Sequence, residues 1–179
     1  MALLIAFAFI SIFFSFLCSI LEAVLLSITP SFIRIKTKEG KAYAETLANF
    51  KKDIDKPLIA ILTLNTIAHT VGAILVGDQA GKMAAESGYD IHILGINFVG
   101  LVSTVMTLAI LVLSEIIPKT IGATYWRQLA NFTSKALNVL IFPLKWTGIL
   151  WVLQLTTKLI GGKGHHGSVL SREDFHAMT

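Results

Sequence analysis

A chain of 179 residues that is 54% hydrophobic and only 15% charged is too apolar for a soluble domain, where about a quarter of residues carry charge. It reads as an integral membrane protein. The net charge of +4 is modest and the bases are clustered, which follows the positive-inside rule and argues against nucleic-acid binding.

The first apolar stretch covers about 2–28 and ends at Pro30. It has no basic leading region and no small-residue cleavage site, and it is long enough to span, so it is predicted as a membrane helix and not a secretory signal. Its Cys18 is the single cysteine, so there is no disulfide framework. The linker 31–56 carries Arg34, Lys36, Lys38, Lys41, Lys51, Lys52 and Lys56 against four acids. That excess places it in the cytoplasm and the N-terminus outside. Apolar positions at Phe32, Ile33, Ile35, Tyr43, Leu47 and Phe50 predict an amphipathic juxtamembrane helix over 32–52, lying on the inner surface.

Pro57 opens a second span over about 57–76. The loop 77–92 holds Asp78, Glu86 and Asp90 against Lys82, as suits the outer side. A third span, about 93–117, returns to Lys119 and Arg127, with Tyr125 and Trp126 at the interface. The stretch 129–160 is interrupted by Lys135 and Lys145 and broken by Pro143. Arg127 precedes it and Lys158 and Lys163 follow, which favours both ends inside. It is predicted as two shorter helices around Pro143, re-entrant or interfacial; a fourth full span is the competing reading. Residues 161–170 form a glycine-rich linker, whose adjacent His165 and His166 read as solvated before they read as metal ligands. Ser171-Arg172-Glu173-Asp174 has the pattern of a helix start, so 171–179 is expected to begin a truncated cytoplasmic domain.

The expected fold class is therefore all-α integral membrane: three transmembrane helices, an amphipathic juxtamembrane helix and a short re-entrant or interfacial helix pair. These make one domain over 1–160, expected in the cell (inner or plasma) membrane with a cytoplasmic C-terminus.

Polar residues inside the spans carry the functional signal. A carboxylate within a span costs roughly 2.5–3.5 kcal/mol on insertion scales, and Glu22 and Glu115 are both in this position. Ser11, Ser15, Ser19 and Glu22 share one helical face, as do Asn65, His69 and Gly72; Ser114 and Glu115 end the third span. With a rise of about 1.5 Å per residue, Glu22 and Asn65 each lie roughly 12 Å from the cytoplasmic end of their helix. Pro118 cannot donate to the carbonyl four residues back, which in an α-helix is that of Ser114. Carboxylate, amide, hydroxyl and carbonyl oxygens suit Mg2+ or Na+ and disfavour zinc or copper. Plainer readings stand beside this one. A serine stripe packs helices closely, Lys119 pairs with Glu115 at i, i+4, Glu22 supports a packing contact, His69 makes an interhelical hydrogen bond, and Pro118 stops a helix.

Residues 18–30, from Cys18 through Ser19 and Glu22 to Pro30, resemble the first-helix motif of the CNNM/CorC magnesium transporter family. Leu64-Asn65-Thr66 resembles its second-helix asparagine motif. Ser114-Glu115-Ile116-Ile117-Pro118-Lys119 resembles its third-helix signature, the most specific of the three. The resemblance covers about 2–160, and the tail from Ser171 resembles the approach to a cytoplasmic CBS-pair domain. It implies a homodimer in the lipid bilayer that exports Mg2+, with sodium coupling proposed for the family. It implies a metal site from a first-helix serine (Ser15 or Ser19), Asn65 and Glu115, beside which Ser114 is placed for its carbonyl. Glu22, His69, Pro118 and Lys119 then surround or gate the site. The chain departs from the family pattern at Ile20, where many members have a glycine that lets helices approach, and at His69, where some have asparagine.

Three function classes are weighed. The leading one is a Mg2+ carrier that exposes the site alternately to either side. The second is a Mg2+-sensing scaffold that regulates another transporter. The third, a membrane enzyme using Glu22 and Glu115 as an acid–base pair, lacks a nucleophile, a metalloprotease pattern and a phosphate loop.

Overall fold

The computed structural model describes residues 2–87 and 98–146. These residues are almost entirely helical. Helix α1 covers Ala2–Ser27, α2 Pro30–Lys38, α3 Ala42–Lys52 and α4 Asp55–Ser87. Helix α5 (Phe98–Ala109) runs into a π-helical segment, Ile110–Ile116, and on into α6 (Ile117–Thr124); α7 covers Trp126–Trp146. Three stretches, Ala2–Ser27, Asp55–Glu86 and Phe98–Thr124, are long and apolar enough to cross a membrane. Their outward faces carry bare apolar side chains: Phe9 is 70% exposed and Ile74 63%. Such faces are covered by lipid in a bilayer and would be a liability in water.

Helix α1 packs against α4, α6, α7 and the π segment. Its buried side includes Ser11, Ser15, Cys18 and Ser19, small groups that let neighbouring backbones come close. At one end, a Cβ on Gly72 of α4 would collide with the Ser11 side chain, whose Oγ donates to Ala68 O at 2.8 Å. At the other, a Cβ on Gly122 of α6 would lie 2.8 Å from Ala23 Cβ and 2.9 Å from Ile20 O. The close approach that Ile20 itself does not provide is thus supplied by a glycine on the opposite helix.

Under α1 lies a juxtamembrane layer. The single helix expected over 32–52 is two helices, α2 and α3, broken at Gly40, whose φ of +70° is one that other residues rarely adopt. Pro30 opens α2, and the Thr29 hydroxyl accepts from the Phe32 amide at 3.3 Å, a standard start. Lys51 Nζ donates to Leu26 O at 3.3 Å, so α3 caps the end of α1. Burial holds the Lys51 ammonium below its ordinary pKa. Val24, Ile28, Ile33, Leu47 and Ala130 form the core of this layer. Phe32 and Trp126 meet edge to face at 5.0 Å, which ties the start of α7 to α2.

Three boundaries differ from expectation. The outer loop expected from 77 is helical as far as Ser87. Its alanine-rich sequence favours helix, and Asp78 pairs with Lys82 at 2.6 Å one turn on. At about 1.5 Å per residue, α4 outruns a bilayer core of about 30 Å. The third span continues past Pro118 to Thr124, with the proline in the first turn of α6, where a missing amide costs least. Helix α7 passes through Pro143 to Trp146 instead of breaking there. Val139, whose carbonyl loses its donor, is 74% exposed, so the distortion disturbs no buried packing. The remainder of the 129–160 stretch, the 161–170 linker with His165 and His166, and the 171–179 segment lie outside the described residues.

Candidate ion site between three helices

Three side chains from two other elements converge on Ser15. Its Oγ is buried and lies 2.8 Å from Asn65 Oδ1 on α4 and 2.9 Å from Ser114 Oγ on the π segment. It also contacts His69 Nε2, one turn beyond Asn65. Asn65 turns its amide the other way and donates from Nδ2 to Glu115 Oε1 at 3.1 Å. His69 Nε2 lies 3.8 Å from the same oxygen. Glu115 Oε2 faces Lys119 Nζ at 3.1 Å, and Lys119 Nζ is also 3.3 Å from Glu22 Oε2 on α1.

Proton accounting shows what this cluster favours. A serine hydroxyl has one proton. Asn65 Oδ1 only accepts, and Ser114 already donates to Ile110 O at 2.7 Å, so both compete for the Ser15 proton. The Glu115 carboxylate adds further lone pairs. Around Ser15 two oxygen acceptors face one hydroxyl proton, and the Glu115 carboxylate, met by Asn65 Nδ2 and Lys119 Nζ, keeps lone pairs open to a cation.

The π segment explains how adjacent residues both join the site. The Ile117 amide donates to Val112 O, five residues back, so the turn is wide and carries one extra residue. Such bulges recur at functional sites. Here it brings both Ser114 and Glu115 to hydrogen-bond across to α1 and α4. The register also moves the gap left by Pro118. In an α-helix the proline faces the Ser114 carbonyl; continuing the five-residue pairing places it opposite Leu113. Ser114 enters the cluster through its hydroxyl.

Of the two candidate serines on α1, Ser15 sits in the cluster. Ser19, one turn on, is fully buried and its hydroxyl has no hydrogen-bond partner among the described residues. A buried hydroxyl is rarely left unpaired, so Ser19, one turn from Ser15, is an oxygen with bonding capacity to spare. Glu22 and Lys119, singled out separately in the sequence, form one bridge to Glu115. That bridge has no local sequence signal, because Glu22 and Lys119 lie on different helices. The Ile110 carbonyl was also missed; only the π register brings it to Ser114.

Among the described residues no three His, Cys, Asp or Glu side chains gather as they would for a transition metal. One carboxylate with amide and hydroxyl oxygens, a quarter exposed at Glu115, instead suits a hard cation that keeps part of its water shell.

A family model described as the cyclin M transmembrane N-terminal domain (CNNM) matches residues 5–179. The UPF0053 protein sll1254 of Synechocystis sp. is 30% identical over 161 residues, which cover 89% of this chain and 43% of that protein. The chain therefore spans less than half the length of this relative. No solved structure matches the chain. The family match runs through all three spans and through the Ser114–Lys119 signature, so the chain belongs to the CNNM family, as its transmembrane domain.

Proposed function

We propose that the chain is the membrane domain of a Mg2+ transporter that exports the ion, with Na+ as the coupling ion. The observation that carries this reading is the meeting of Ser15, Asn65 and Glu115 from three helices in one acceptor-rich cluster. Glu115 supplies the charge; Ser15, Asn65 and Ser114 supply neutral oxygens; Ser19 holds a further free hydroxyl. Transport follows from exposing this cluster alternately to the two sides, with the wide π turn as the element that repacks. The protein works as a homodimer in the cell membrane, N-terminus outside, with a cytoplasmic CBS-pair domain joined after the linker.

The test is Mg2+ flux through the full-length protein in liposomes carrying a Mg2+-sensitive dye. Wild type moves Mg2+, and Glu115→Gln, which keeps the shape and removes the charge, does not. Binding without flux in the wild type identifies a Mg2+-sensing scaffold instead. Undiminished flux in Glu115→Gln overturns the site assignment.

A further inference from the structure

We propose that Lys119 is a tethered cation that occupies Glu115 in the absence of Mg2+ and withdraws onto Glu22 when the ion arrives. This makes Lys119 and Glu22 determinants of affinity and selectivity. The inference rests on the ion-site reading above.

The geometry is a shared ammonium. Lys119 Nζ lies 3.1 Å from Glu115 Oε2 and 3.3 Å from Glu22 Oε2. Glu22 has no other hydrogen-bond or ion-pair partner among the described residues. The Lys119 side chain is 43% exposed, and its four-carbon stem lets the ammonium swing while the backbone stays in place. Glu115 belongs to the hydrogen-bonded cluster through Oε1, whereas Glu22 stands outside it on α1. The ammonium is therefore in contact with one carboxylate inside the site and one outside.

Charge then dictates the exchange. A lone Glu115 carboxylate within a span is costly, and Lys119 neutralises it when no ion is present. A divalent ion seated on Glu115 repels the ammonium. Glu22 is already in contact, so Lys119 can leave without becoming an unpaired charge in the membrane. A monovalent ion gains little by the same exchange, since it replaces one unit charge on Glu115 with another. Lys119 thus acts as a competitor that a divalent ion displaces far better than Na+ does. Without Glu22, the ammonium has only Glu115 to hold.

The test measures Mg2+ binding to the full-length protein in detergent by titration calorimetry, with and without Na+. Lys119→Met is expected to tighten Mg2+ binding roughly tenfold and to let Na+ compete. Glu22→Gln is expected to weaken it severalfold, and this effect should vanish in the double variant, where no ammonium needs a second carboxylate. A purely structural bridge predicts weaker binding in both single variants. Unchanged or weaker binding in a folded Lys119→Met overturns the inference and leaves the ion site standing. So does an equal loss from Glu22→Gln with and without Lys119, which would mean that Glu22 attracts the ion directly. If Lys119→Met does not fold, Lys119→Gln, which also removes the charge, takes its place with the same expected and overturning results. Absence of Mg2+ binding in wild type and every variant overturns the ion-site reading and the inference together.

Discussion

Ser15 Oγ and Asn65 Oδ1 lie 2.8 Å apart although 50 residues separate them in the chain. The contact sets the orientation of the Asn65 amide. With its oxygen turned to α1, its Nδ2 must point to the π segment, where it reaches Glu115 Oε1. One side chain on α4 therefore couples the other two elements of the site.

Asn65→Leu removes both ends of that link while keeping similar volume. It leaves the Ser15 hydroxyl and the Glu115 carboxylate short of a partner, at a cost of about 1–3 kcal/mol for each group left unpaired. Thermal unfolding in detergent should show a clearly lowered midpoint. An unchanged midpoint would mean that the three helices do not depend on this link.

Ser15→Ala and Ser19→Ala should separate, although the residues are one helical turn apart. Ser15 has partners on two other elements, and its loss should destabilise the ion-free protein by about 1–3 kcal/mol. The Ser19 hydroxyl is buried without a partner, so its removal should leave the ion-free protein equally or slightly more stable. If Ser19 ligates the ion, Ser19→Ala will nonetheless weaken Mg2+ binding. Unfolding curves with and without Mg2+ read both effects; equal destabilisation of the ion-free protein by the two variants contradicts the assignment.

Gly122→Val should be among the damaging substitutions outside the site. Its Cβ meets the Ile20 carbonyl, which is backbone and cannot swing away; overpacking of this kind costs about 1–3 kcal/mol. Gly77→Ala provides the contrast. That glycine also lies within a helix but has open space around it, and alanine there should stabilise by about 0.5–1 kcal/mol. Denaturation midpoints that move in the same direction for both would refute the packing account.

Cys18 offers a probe that needs no engineering. It is the single cysteine of the chain and is fully buried against α4 and α7 residues such as Ala60, Ile61 and Leu137. A maleimide should label it slowly in the folded protein and quickly after denaturation. Rapid labelling of the folded protein would show that α1 is not packed as described.

The spans were legible because hydropathy and basic clusters respond to the membrane residue by residue. Serine spacing on α1 and Asn65–His69 spacing on α4 likewise marked the inward faces. Boundaries were harder to read. Pro143 looked like a break because proline's cost depends on whether its neighbourhood is buried. Residues 77–87 read as a loop from their acids and glycines, whereas the Asp78–Lys82 pairing across one turn favours helix.

What the sequence determined by itself was composition and pattern: three apolar helices, a basic inner layer, and a small set of polar residues too costly to lie in a membrane without partners. The tertiary structure alone decided who those partners are. It chose Ser15 over Ser19 as the centre of the cluster, because Asn65 and Ser114 meet α1 at that level. It placed Ser114 in the site by its hydroxyl, because a π turn shifts the register by one residue. It joined Glu22 to Glu115 through Lys119, because close packing of α6 on α1 at Gly122 brings those side chains within reach. Each is a distance between helices remote in sequence, and local periodicity holds no information about such distances.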